Sequence, residues 1–364
     1  MIPQYEPIFN NAEKENLNKY IDSNAWLTEY IKTKEFEQRI SDFLGVKHTI
    51  VVNNGTISLC LALLANGVKP GDRVLVPSLT MIATANAVRF IGAIPIFVDV
   101  EPDTLCMDIT QIPDYIKLWS PKAIIYVTFN GRQGNNISTL FNICYKNNIA
   151  IIEDNAQSFG SKNVVGQTIG NTINLSSFSF SVPKIITTGQ GGCLTTNNDE
   201  LAQQIRYLKD FGRSGGGNDV HDYFGINCKF TDLQAVIGLT QMETISDRII
   251  TKKNLLLFYY NELKYVKQIK FIKINLEYTV PWFVEIFVED RDKLAEYLLT
   301  KGIQTRKIYS PIYTQKCYQP NVEKHPVAEE YSRKGLWLPS SMNLEEHEII
   351  YICQTIRKYY ENQK

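Results

Sequence analysis

Short apolar runs recur along the N-terminal two thirds of the chain, each followed by a stretch with helical spacing. The runs His48-Thr49-Ile50-Val51-Val52, Val74-Leu75-Val76-Pro77, Ile94-Pro95-Ile96-Phe97-Val98, Ala123-Ile124-Ile125-Tyr126-Val127-Thr128 and Ile149-Ala150-Ile151-Ile152-Glu153-Asp154 are nearly continuous, as strands buried on both faces require. Helices are expected at about 57–65, closed by Asn66-Gly67, at 80–91 and at 138–147. This alternation implies an α/β fold with a mainly parallel central sheet sandwiched by helices. Two amphipathic helices, about 11–22 and 33–44, precede the first strand, and Thr231 with Gln234 three residues on reads as a capping box.

The pattern changes near residue 250. A helix at about 248–264 leads into short strands around Pro281 to Val288, a helix at 291–301, a strand through Gln304 to Ile308 and a last helix at 345–360. We expect a large domain over residues 1–248 and a smaller α+β C-terminal domain over 249–364.

Composition narrows the function class. The 364 residues are 44% hydrophobic and 21% charged, ordinary values for a globular protein. Lys+Arg and Asp+Glu are both 38, so no bulk charge exists to bind nucleic acid, and an anionic ligand must be held locally. No apolar run is long enough to span a membrane, and the N-terminus lacks the pattern of a signal peptide. The seven cysteines are scattered and mostly lie in apolar runs, as in a reduced, cytoplasmic protein. The four histidines show no metal-ligand spacing, so no metal site is expected.

Candidate chemistry gathers at the carboxyl ends of the predicted strands, where ligands of such sheets bind. Ser176 to Val182 is an apolar, serine-studded run that ends at Lys184, before the glycine-rich Gly189-Gln190-Gly191-Gly192 and a further strand at Cys193-Leu194-Thr195-Thr196. A lysine held at a strand end is partly desolvated, which lowers its pKa as a Schiff-base lysine requires; a solvated lysine in a turn is the plainer reading. Asn54-Gly55-Thr56 opens a helix after a strand, which suits either an anion site or a simple N-cap. Asp154 closes a strongly apolar run and needs a cationic or hydrogen-bonding partner, such as a pyridinium nitrogen; capping a helix is the alternative. Gln157 lies one helical turn on, and Gly215-Gly216-Gly217 reads as a flexible functional loop.

Taken together, Asn54-Gly55-Thr56, Gly71 to Ser78, Glu153 to Gln157, Ser179 to Gly192 and Asn227 to Gln234 give the chain a resemblance to the DegT/StrS-type sugar-nucleotide aminotransferases, running from Tyr5-Glu6-Pro7 to Leu338-Pro339-Ser340. The resemblance implies the fold-type I architecture and pyridoxal 5′-phosphate (PLP) as cofactor. It implies that Lys184 carries the cofactor and shuttles protons, that Asp154 pairs with the ring nitrogen and that Gln157 meets the ring hydroxyl. Gly55, Thr56 and Ser179 would hold the phosphate, with Met81 and Ala156 beside the ring. Asn227 would reach the cofactor of a second subunit, which makes the active unit a homodimer. Arg213, His221, Lys229, Tyr309 and Tyr313 fall where the family contacts the sugar nucleotide.

Two positions depart from the family pattern. Met81 stands where an aromatic residue usually stacks on the cofactor, and Tyr313 where a histidine is common. Some relatives carry histidine at the position of Lys184 and act as sugar 3-dehydratases; the lysine puts this chain in the transaminase branch. The openings Ile2 to Pro7 and Ile186 to Gly192 look most like enzymes of the perosamine and viosamine type. The expected reaction is amination of a UDP-, dTDP- or GDP-linked 4-keto-6-deoxyhexose by glutamate. Amination at C3 of a 3-keto sugar, action on a cyclic inosose and a non-catalytic PLP-binding regulator remain the alternatives. A dinucleotide oxidoreductase would want G-x-G-x-x-G after the first strand, which is missing.

Overall fold

The computed structural model describes every residue except 135, 216–218, 320–322 and 363–364. Two of the three glycines read as a flexible loop, Gly216 and Gly217, therefore lie outside the described residues.

The strands are β1 (His48–Val52), β2 (Arg73–Pro77), β3 (Ile94–Val98), β4 (Ala123–Val127), β5 (Ala150–Asp154), β6 (Ser176–Ser179), β7 (Gly192–Thr196), β8 (Glu285–Phe287), β9 (Arg306–Lys307) and β10 (Gly335–Trp337). The helices are α1 (Asn11–Asp22), α2 (Ile31–Leu44), α3 (Gly55–Ala65), α4 (Ala83–Phe90), α5 (Ile112–Trp119), α6 (Ile137–Lys146), α7 (Asp199–Lys209), α8 (Asp232–Glu243), α9 (Ile245–Leu263), α10 (Arg291–Thr300), α11 (Pro326–Lys334) and α12 (Glu346–Glu361).

The first seven strands form one sheet in the order β1-β7-β6-β5-β4-β2-β3. All neighbours from β3 to β6 are parallel, while β7 runs antiparallel to both β6 and β1. Both faces are covered, and the continuous apolar runs show why. Val74, Val76 and Ile125 pack into one core with α3 and α4, while Leu75, Ile124 and Tyr126 pack into the other with Phe129 and Leu140. The expected fold class is what the chain adopts.

Several helix ends follow from the sequence. Asn10 caps α1 in a capping box with Glu13, and Thr231 caps α8 with Gln234 in the same way. The α2 helix stops at Gly45, which takes a left-handed φ of 71°.

A second sheet, β8-β10-β9, is antiparallel. It forms a separate core with α9, α10 and α12, in which Tyr259, Ile286, Leu336 and Ile352 are fully buried. Ile2 pairs with Ile303 and packs on this core, so the chain's first residues cross to the C-terminal half. Asn130, in the turn three residues after β4, locks the halves together. Its amide donates to the Phe283 carbonyl at 3.0 Å and its side-chain oxygen accepts from the Phe283 N–H at 2.8 Å. Among the described residues no helix is long and apolar enough to cross a membrane.

Candidate active site

The five parallel strands end at one edge of the sheet, and most of the expected site residues stand there. The run expected to continue as strand up to Lys184 stops at Ser179. A turn follows, in which the Lys184 N–H meets the Ser181 carbonyl at 3.0 Å. Pro183 has no N–H to extend a ladder and fixes its own φ, so the strand cannot reach the lysine. The loop then folds back on itself. Phe180 donates to Gly191 at 2.8 Å and accepts from Thr188 at 3.0 Å, which holds Lys184 beside the carboxyl end of β5.

Lys184 is half-buried, and desolvation of its amine lowers its pKa to about 8. The Asp154 carboxylate opposes that shift, while the Arg306 guanidinium adds to it. Asp154 is 5% exposed at the last position of β5. It accepts from the Thr84 hydroxyl at 2.8 Å and from the Ala156 N–H at 3.2 Å. Burial still pushes its carboxyl above the usual range, against those hydrogen bonds and Lys184. A buried carboxylate of this kind gains most from a further cation.

The residues expected to hold a phosphate, Gly55, Thr56 and Ser179, lie where α3 meets β6. Asn54 caps α3 by accepting from the Ile57 N–H at 2.9 Å. The N–H groups of Gly55 and Thr56, in the first turn, have no acceptor within the helix. Gly55 lies so close to β6 that a Cβ there would stand 2.8 Å from the Ser179 Cβ. Only glycine lets the helix end and the strand meet at this spacing.

Ala156, Gln157, Ser179 and Lys184 line one small cavity together with Trp282 and Lys252. The Gln157 side-chain oxygen is taken by the Asn130 N–H at 2.7 Å, which leaves its NH2 group as the available donor. Met81 is 46% exposed one turn before Thr84, the residue that holds Asp154. Tyr309 packs edge-on against Phe129 and Trp337, and burial raises its hydroxyl pKa, with the Asp154 charge acting in the same direction.

The remaining expected residues lie elsewhere in the chain. Arg213, His221, Lys229 and Asn227 gather around Asp210 and Phe211. Lys229 pairs with Asp210 at 2.7 Å, Arg213 approaches it at 3.4 Å, and His221 meets the Phe211 carbonyl at 2.8 Å. Asn227 bridges Asp210 through its backbone and accepts from the Lys229 N–H at 3.2 Å. None of the four lines the Lys184 cavity. Tyr313 departs from the expected contact with a sugar nucleotide. It is 5% exposed, its ring packs against Phe97 and His325, and its hydroxyl is bonded to Glu329. In this arrangement the hydroxyl is turned to Glu329.

Four residues of the site escaped sequence reasoning. Thr84 supports Asp154. Arg306, on β9, stacks its guanidinium 5.7 Å from the Tyr309 ring and 5.4 Å from the Trp337 ring. Trp282 and Tyr5 touch the lysine loop. Arg306 and Trp282 are far from Lys184 in sequence, and only the β9 strand pattern and the aromatic cluster at Trp282-Phe283 marked their segments.

The site fits PLP. A glycine-opened helix end faces the serine strand, a tuned lysine follows, and a buried carboxylate awaits a cation. Residues 7–357 match the DegT/DnrJ/EryC1/StrS aminotransferase family. The chain is 35% identical over 365 residues to the GDP-perosamine synthase of Escherichia coli O157:H7, covering 99% of this chain and 98% of the relative. It is 32% identical to the GDP-perosamine synthase of Vibrio cholerae, covering 99% of each. Among solved structures, the PLP-form of Spr1654 from Streptococcus pneumoniae superimposes with a TM-score of 0.92 at 26% identity, covering 99% of both chains. Likeness along the whole chain thus meets a cleft with the chemistry of a Schiff-base cofactor, and the chain belongs to the DegT/DnrJ/EryC1/StrS family as a PLP-dependent aminotransferase of fold type I.

Proposed function

We propose that the enzyme converts a nucleotide-linked 4-keto-6-deoxyhexose into the 4-amino-4,6-dideoxyhexose, of the perosamine or viosamine type, with glutamate as amino donor. The observation that carries this reading is Lys184, tuned to about 8 beside buried Asp154, in a chain that matches GDP-perosamine synthases over its whole length.

PLP, when bound, supplies an electron sink for removal of a proton from the carbon that bears nitrogen. The residues do the rest. Gly55, Thr56 and Ser179 bind the phosphate. Asp154 keeps a proton on the ring nitrogen, and the Gln157 amide orients the ring through its hydroxyl. Lys184, as a free neutral amine, takes the proton from the donor carbon and in the second half-reaction delivers one to the sugar carbon. A pKa near 8 suits this task, because both forms of the amine are accessible near neutrality. Arg213, His221, Lys229 and Asn227 serve the active site of a second subunit in a homodimer, where the cationic cluster faces the nucleotide diphosphate and Asn227 the cofactor. Six of the seven unpaired thiols are buried, which suits work in the cytoplasm.

The test is incubation with PLP, glutamate and a panel of UDP-, dTDP- and GDP-linked 3-keto and 4-keto sugars, followed by mass spectrometry. We expect a 4-amino sugar nucleotide and an equal amount of 2-oxoglutarate. Turnover confined to 3-keto sugars, or to another amino donor, overturns the reading.

A further inference from the structure

We propose that Trp282 is a positioning residue for Lys184, holding the lysine's ammonium form on its ring face while its indole N–H pins the backbone from which the lysine extends. The proposal rests on Lys184 being the reacting amine.

Five contacts carry it. The Lys184 Nζ stands 4.1 Å from the centroid of the Trp282 ring, within cation–π range. The indole N–H donates to the Pro183 carbonyl at 2.6 Å, one residue before the lysine. From the other side the Tyr5 hydroxyl donates to the Lys184 carbonyl at 3.2 Å. Two consecutive carbonyls of the lysine loop are therefore held by aromatic side chains, one from the N-terminal segment and one from the C-terminal half. Trp282 is itself fixed, because Lys252 donates to its carbonyl at 2.7 Å and its ring stacks on Phe283 with centroids 4.0 Å apart.

The electrostatics give the ring a specific task. Burial and the Arg306 charge both work against a protonated Lys184, and Asp154 works for it. Lys252 lines the same cavity with its own pKa lowered to about 7 by burial, so it offers Lys184 no negative charge, and the hydroxyls of Tyr5 and Tyr309 are held neutral by burial. Asp154 would be engaged by the cofactor once that is bound. The indole face then remains a negative surface for the ammonium that carries no formal charge and cannot be drawn away by the ring nitrogen.

The experiment reads the lysine directly. Full-length protein freed of cofactor is labelled by competitive acetylation across the alkaline range, and the Lys184 peptide is quantified by mass spectrometry. Trp282→Leu should lower the midpoint of Lys184 reactivity by roughly 0.4–1.5 pH units. Trp282→Phe, which keeps a ring face, should lose less than half as much. An unchanged midpoint in Trp282→Leu, or an equal loss in both variants, overturns the proposal. Should Trp282→Leu fail to fold, fluorinated tryptophan decides. Incorporated at all four tryptophans, it should lower the midpoint stepwise with each added fluorine, and the effect should vanish in a Trp282→Phe background. No stepwise change overturns the proposal. The labelling needs no turnover, so this proposal and the assigned reaction can fail independently.

Discussion

The Thr84 hydroxyl donates to the Asp154 carboxylate at 2.8 Å, joining the start of α4 to the last residue of β5. This bond, the Ala156 N–H at 3.2 Å and the Lys184 charge all favour the carboxylate, against burial that pushes its pKa up. Asp154→Asn keeps the size and removes the charge that, in the proposed role, holds a proton on the cofactor nitrogen. We expect at least about a hundredfold loss in kcat, equivalent to roughly 2.7 kcal/mol, with PLP still bound through Gly55, Thr56 and Ser179. Thr84→Val removes a hydrogen bond to a charged group, which contributes about 1.5–3 kcal/mol. It should lower kcat by about tenfold or more in the same direction. Measuring kcat and PLP occupancy on one preparation of each variant checks both. Near-normal turnover in Asp154→Asn would make Asp154 only a structural residue.

Gly55 gives a prediction that separates cofactor binding from folding. A Cβ at this position would stand 2.8 Å from the Ser179 Cβ, so α3 or β6 must shift. Alanine also raises helix propensity, by up to about 1 kcal/mol in a helix interior and less in a first turn. The two effects partly cancel in stability, but the displaced cradle has no compensation. Gly55→Ala should therefore weaken PLP binding by about tenfold or more, equivalent to about 1.4 kcal/mol, while the melting temperature of the cofactor-free protein changes little. Fluorescence titration with PLP and a thermal melt of the same protein test this, and unaltered PLP affinity would remove Gly55 from the cradle.

How far the sequence revealed this site follows from where each residue lies. Asp154 and Gly55 follow apolar runs whose ends are easily read, and an open parallel sheet collects such ends at one edge. Lys184 was found through its glycine-rich surroundings, although the strand before it is shorter than its composition suggests, because Pro183 interrupts pairing. The α7 helix carried a readable signal that went unused, since Asn198 caps it and Asp199 and Glu200 fill its first turn. Trp282, Arg306 and Tyr5 were beyond local reasoning. They reach Lys184 only after the C-terminal half and the N-terminal segment have packed against the large sheet. For Tyr313 the motif position says nothing of whether a neighbour, here Glu329, already holds the hydroxyl.

Lys252 predicts a pH dependence of stability. Its ammonium is buried against the carbonyls of Trp282 at 2.7 Å and Ser340 at 2.8 Å, and the rings of Tyr5 and Phe283 flank it at 5.5 Å. Burial lowers its pKa to about 7. In the unfolded chain a lysine titrates near 10.4, so between about 7 and 10 the folded protein has released a proton that the unfolded chain keeps. Stability therefore rises with pH through this window, and below it the buried charge is a cost. Lys252→Met removes the titration, whereas Lys184 contributes equally in both proteins. The difference in unfolding free energy, wild type minus variant, should increase with pH by up to a few kcal/mol across the window. Urea melts of both proteins at a series of pH values measure it, and a flat difference would mean that Lys252 keeps its proton when buried.

The placement of Asn227 leads to a prediction about subunits. It sits with Arg213 and Lys229 around Asp210, and none of them lines the cavity that holds Lys184 in the same chain. If the cluster serves the neighbouring active site, Lys184 and Asn227 act in trans. Lys184→Ala should abolish turnover, and Asn227→Ala should impair it severely by weakening the cofactor's hold. In a hybrid dimer one site carries both lesions and the other carries neither. Random exchange makes half of the dimers hybrids with one intact site each, so about a quarter of the wild-type sites should be restored in an equal mixture of the variants. If Asn227 acted on its own chain's cofactor, every site in the mixture would carry one lesion or the other and nothing would be regained. Subunit exchange must be verified first, by tagging the two variants differently and isolating the doubly tagged species. The activity of that species, compared with each parent, decides between the two arrangements. Recovery places Asn227 across the interface, and no recovery assigns the cluster around Asp210 to something other than the shared active site.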